Sequence, residues 1–122
     1  MALSRLAREF AAEIAGHDWS DAHYRLDRAG HQRERDTNAV NGTPLTPREA
    51  HSVKVNVMWV TAQVLWGADP NFDVQEFARM CGVKGLSPSW LKNGLRSDRD
   101  DNPIPATPRD EDGNPVEELP AK

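Results

Sequence analysis

The strongest constraint on this chain is Thr46-Pro47-Arg48-Glu49 and the run that follows it. The four residues place a hydroxyl at a helix N-cap, proline at the first helical position and glutamate at the third, which together form a capping box. Beyond it, Ala50, Val53, Val57, Val60 and Val64 make one helical stripe, and Val55, Trp59, Ala62 and Trp66 make a second. A helix apolar on most of its girth belongs at the centre of a fold, and Gly67 stops it. Val53, Val55, Val57 and Trp59 also alternate as in a strand, which β-branched residues prefer. The capping box and the glycine stop favour the helix.

Shorter helices are expected on either side. Leu3, Leu6, Phe10 and Ile14 recur at intervals of three and four, which predicts a helix over 2–15 with those four residues buried and Gly16 as its stop. Ser20 is a good N-cap for a helix over 21–29, with Trp19 and Tyr24 as its staple pair and Gly30 at its end. Residues 31–44 read as a loop. Asp73-Val74-Gln75-Glu76 is a second capping box, with Phe72 and Phe77 as a staple, for a helix over 74–81 that ends at Gly82. Ser87-Pro88 opens a last helix, with Leu86 and Leu91 as its staple pair and Asn93-Gly94 as its limit. The fold class is therefore mainly α: a compact bundle of about five short helices over residues 1–97.

Residues 98–122 differ in kind. They hold five prolines, few large apolar residues, and eight acids against three bases. Such a segment buries too little surface to offset its ordering entropy, so it reads as a disordered or docking tail. The whole chain carries −4, while residues 1–97 hold 12 bases and 11 acids, so the acidity belongs to the tail. Cys81 is the single cysteine, which rules out an intrachain disulfide. No apolar run approaches the roughly 20 residues that cross a bilayer, and the amphipathic N-terminus is unlike a signal peptide. The expectation is a cytoplasmic protein with no membrane partner.

Three groups of residues bear on function. The segment 74–96 has the outline of a helix-turn-helix, with Ala78 and Gly82 four residues apart and Phe77, Val83 and Leu91 at buried positions. Acids are absent from Phe77 through Ser97, while Arg79, Lys84, Lys92 and Arg96 contribute +4, the charge a phosphate-binding surface needs. Arg79, Lys84, Ser89, Lys92 and Arg96 are the candidate nucleic-acid contacts. Gly85 and Pro88 stand where that motif wants apolar residues, so the competing reading is two capped core helices with solvated lysines. The second group is His17, Asp18, His23, Asp27 and His31, whose spacing allows a metal on a continuous helix. Gly30 and the nearby arginines argue for a solvated face instead. The third is the four tryptophans: Trp59 and Trp66 fit a core, and Trp90 is the one expected at the surface as a partner anchor. No nucleotide-binding loop, catalytic triad motif or paired apolar carboxylates occur, so neither an enzyme nor a cofactor is expected.

The stretches 17–25, 57–65 and 70–73 resemble small uncharacterised accessory proteins of actinobacterial bacteriophages. That resemblance implies a gene product made in the host cytoplasm, and it carries no activity and no site. The expected function is binding of a macromolecule by a helix-turn-helix-like nucleic-acid regulator, or alternatively by a module that binds a host protein.

Overall fold

The computed structural model describes residues 3–23 and 42–116. Within them are four helices: α1, Arg5–Gly16; α2, Pro47–Ala68; α3, Val74–Met80; and α4, Pro88–Asn93. The described residues contain no β-strand beyond isolated bridges, so the chain is mainly helical. Of the helix expected over 21–29, residues 24–29 lie outside the described residues. Residues 21–23, together with the expected cap Ser20, form a turn.

Each helix starts where a polar side chain accepts from the backbone of its first turn. Ser4 accepts from the N–H of Ala7, and Ser87 from that of Trp90. Thr46 accepts from the N–H of Glu49, whose carboxylate accepts from the N–H of Thr46, so the capping box is reciprocal. That bond holds the Glu49 carboxyl below the ordinary carboxylate range. Asp73 accepts from the N–H groups of Gln75 and Glu76, while the rings of Phe72 and Phe77 meet at 5.3 Å as the staple. At the far end of α3, Gly82 adopts φ +78°. The N–H of Val83 reaches the carbonyl of Ala78, and that of Gly82 reaches Arg79, closing the helix as a Schellman turn.

The helical reading of 47–68 holds against the strand alternative, but the buried faces differ from expectation. Leu3, just ahead of α1, and Ala7, Ala11 and Ile14 on it are buried, whereas Leu6 is 56 % and Phe10 43 % exposed. Residues 7, 11 and 14 share one face, and two alanines on it let α1 lie close to α2 and α3, against which it packs. On α2 the buried residues are Met58, Ala62, Gln63 and Leu65. Val60 lies two residues, about 200° of helix, from Met58, so it faces away from the core. Val60 and Val64 are 71 % and 69 % exposed, which overturns their expected burial, while Val57 packs partly buried against the core. Phe77, Ala78, Cys81 and Leu91 complete the core from α3, the turn after it and α4.

The acidic segment after Ser97 takes up two tight turns of the same design. In the first, the N–H of Asp98 reaches the carbonyl of Asn102, that of Asp101 reaches Asp98, and that of Ile104 reaches Arg96. In the second, Asp110 pairs with Asn114, Gly113 with Asp110, and Val116 with Pro108 in the same pattern. The Oδ1 atoms of Asp98 and Asp110 each accept two further backbone N–H bonds, from Asp100 and Asn102 and from Asp112 and Asn114. Those bonds hold the Asp98 carboxyl below its ordinary value. The tip residues Asp101 and Gly113 sit at φ +63° and +83°, the left-handed region that aspartate tolerates and glycine favours.

Candidate functional site

From Val55 to Ala68 no residue of α2 is charged, and Gln63 is the buried polar residue in that half of the helix. Its side chain is fully used. Oε1 accepts from the N–H of Arg96 at 2.7 Å, and Nε2 donates to the carbonyls of Arg96 at 3.1 Å and Ile104 at 3.3 Å. A single glutamine thus fastens the first acidic turn along α2. The Arg96 guanidinium adds Nε and Nη2 bonds to the Ile104 carbonyl, at 3.3 and 3.1 Å.

Docked this way, the turn stands beside the outward face of α2 and leaves a groove of about 780 Å³ between them. One wall is Trp59, Val60, Val64 and Gly67; the other is Pro103, Ile104, Pro105 and Ala106. Gly94 closes one end, with the Trp59 ring lying directly over it. Ile104 is 41 % exposed, so both walls present apolar surface. Arg96 is the one charged residue of the lining, and its guanidinium is committed to the wall it braces.

The residues singled out from the sequence lie apart from this groove, except Arg96 and Trp59, the latter expected in the core. Arg79 is exposed on α3, with Glu76 at 3.9 Å. Ser89 and Trp90 are exposed on α4, Trp90 at 70 %, and Lys92 lies within the same helix. Lys84 is exposed in the connection, and its backbone N–H donates to His51 Nε2 at 3.0 Å. Lys54 also reaches this connection, with its Nζ beside Gly82 at the C-terminal end of α3, where a cation is favoured. Seven residues, Cys81–Ser87, join α3 to α4, against three or four in a helix-turn-helix. Cys81 is completely buried, and burial pushes its thiol up to about 12 despite Lys54 nearby, so it stays protonated at neutral pH.

Of the histidine–aspartate group, the His17 ring meets that of Trp19 at a centroid distance of 4.3 Å, tilted by 54°, while Asp27 and His31 lie outside the described residues. Among the described residues no three metal-binding side chains converge, and no helix is long and apolar enough to cross a membrane. Comparison with family models, with curated proteins and with solved structures finds no match for this chain.

The groove residues escaped the sequence reading because Val60 and Val64 look like core. The available signal was excess: α2 carries more apolar faces than three short helices can cover.

Proposed function

We propose that this protein acts by binding another protein through the groove between α2 and its first acidic turn. One observation carries the reading: Val60 and Val64, one helical turn apart, are about 70 % exposed on an uncharged stretch of helix. Exposed valine pairs bordered by a second apolar wall are characteristic of interaction surfaces. If the resemblance to phage accessory proteins holds, the partner is a host protein.

A photo-cross-linking residue placed at Val64 tests this in cells. The expected result is one reproducible partner, identified by mass spectrometry, retained after nuclease and lost in a Val60→Glu background. Cross-links that vanish with nuclease, or that survive Val60→Glu, contradict the reading.

A second reading rests on a separate observation, the acid-free segment from Phe77 to Ser97, in which Arg79, Lys84 and Trp90 are exposed. In that reading α3 and α4 act as a helix-turn-helix-like pair on nucleic acid, with Arg79, Lys84, Ser89 and Lys92 as contacts. It predicts steep loss of DNA or RNA affinity with salt, and loss on Lys84→Glu with no effect of Val60→Glu.

A further inference from the structure

The cations of the acid-free segment have a neighbour from a distant part of the chain. Lys54, two turns into α2, reaches the end of α3, where its Nζ would lie 3.1 Å from a Cβ placed on Gly82. The N–H of Gly82 donates to the carbonyl of Arg79 at 3.0 Å, and Lys84 stands two residues past Gly82. With about 3.8 Å between successive Cα atoms, the Lys84 backbone lies within roughly 8 Å of Gly82. His51, one turn before Lys54, accepts from the Lys84 N–H at 3.0 Å and so holds the connection against α2. Lys54, Arg79 and Lys84 therefore converge where α2 meets the Cys81–Ser87 connection.

Their charge is only lightly offset. No acid occurs in 50–68 or in 77–97. Arg79 meets Glu76 at 3.9 Å, a long contact from an exposed side chain and so a weak one. Lys54 and Lys84 have no ion pair among the described residues. The Lys54 side chain is half-buried, and its favourable company is the carbonyl end of α3. Gly85 has nothing within 4 Å of where a Cβ would stand, so the connection lies open to an approaching backbone. By contrast α4, with six residues, is about 9 Å long, too short to lay a recognition helix along a groove.

We propose that nucleic acid, held through its phosphates without regard to sequence, binds where α2 meets the α3–α4 connection, on Lys54, Arg79 and Lys84. The inference rests on the nucleic-acid reading above and moves its contacts from α4 to α2, adding Lys54. Cations that grip phosphates position a duplex and read no base, which suits a surface without a recognition helix.

A fluorescein-labelled duplex DNA of about 20 base pairs and arbitrary sequence, titrated with the full-length chain between about 50 and 200 mM salt, tests it. Three phosphate contacts give log affinity a slope of about −2.7 against log salt, a loss of roughly fortyfold over that range. Arg79→Gln with Lys84→Gln, both at exposed positions, should leave a slope near about −0.9 and a loss of about three- to fourfold. Lys54→Gln should flatten the slope by about one contact, and the exposed pair decides alone if that variant fails to fold. Ser89→Ala with Lys92→Gln, on α4, should change neither slope nor affinity.

An unchanged slope in the Arg79–Lys84 variant, or in a folded Lys54→Gln protein, overturns the proposal. If the α4 variant loses the salt dependence instead, the helix-turn-helix-like reading stands and the α2 surface fails. No binding to the duplex at the lowest salt overturns both. Equal binding to phosphatidylserine vesicles, lost in the same variants, would make a lipid surface the partner and overturn the proposal too.

Discussion

Replacing Gly94 with alanine is a small change whose sign the structure decides. The backbone at Gly94 has φ −80° and ψ −15°, ordinary for any residue, so alanine meets no conformational strain. On that ground alone the substitution should stabilise by about 0.4–1 kcal/mol, through a less flexible unfolded chain. Opposing it is the indole of Trp59. A Cβ at position 94 would lie 2.6 Å from Cζ3 and 2.7 Å from Cζ2 of that ring, far inside the roughly 3.5–4.0 Å of a good contact. The ring must shift, and overpacking of this kind costs about 1–3 kcal/mol. Because Trp59 has one side open to the groove it has somewhere to go, which places the cost in the lower part of that range. The net expectation is a loss of about 1 kcal/mol, seen as roughly 4–8 °C in Tm by circular dichroism. In a Trp59→Leu background the obstacle is gone, and Gly94→Ala should be neutral or stabilising, so the two changes must couple. A Gly94→Ala protein as stable as the parent, with no coupling to position 59, would refute the placement of the ring on the glycine.

Removing residues 107–122 should leave Tm unchanged, whereas removing 98–122 takes Ile104 from Gln63 and Arg96 and should lower stability by about 1–2 kcal/mol; thermal melts of both truncations check this. Asp73→Ala deletes the acceptor for two α3 amides and should cost about 1 kcal/mol by chemical denaturation. Cys81, with its thiol pushed up to about 12 and no exposed surface, should resist iodoacetamide at pH 8 in the folded protein and react readily in denaturant. Rapid native labelling would contradict its burial. Glu49 and Asp98 both have lowered carboxyl values, so their contribution is present above the ordinary carboxylate range and fades as pH falls through the lowered values. Glu49→Gln should accordingly flatten the acid limb of a Tm-versus-pH curve, and an unchanged limb would show the capping box adds nothing.

The helix starts were legible because a cap is a local event: Thr46, Asp73 and Ser87 need only residues two or three positions on. Which face of each helix is buried was not, since that depends on what lies opposite. Ranking by hydrophobicity favoured Leu6 and Phe10 over Ala7 and Ala11, yet close approach of helices rewards the small residues. The same ranking sent Val60 and Val64 to the interior, when Met58, Ala62 and Leu65 already filled it. Composition also concealed the local chemistry of the acidic segment. Aspartate side chains that bond the backbone two residues on are strong turn formers. Asp98-Arg99-Asp100 and Asp110-Glu111-Asp112, each followed shortly by Asn-Pro, carry that signal amid what reads as a solvated charge run. The groove was hidden for a related reason, because its second wall comes from the part of the chain that composition alone would discard.

The repeat of the turn has its own consequence. Every hydrogen bond described for the second turn is closed within residues 108–116, and those that shape the first lie within 96–104 apart from the fastening to Gln63. The two units recur at an interval of twelve residues with Pro105, Ala106 and Thr107 between them. The segment is therefore built as beads on a string, and its length can change in whole beads. A single cleavage between Ala106 and Thr107 would shed one bead and five acids, Asp110, Glu111, Asp112, Glu117 and Glu118, while leaving the groove wall closed. Loss or gain of such a unit would adjust the charge of the chain in steps, without disturbing a residue that packs in the core.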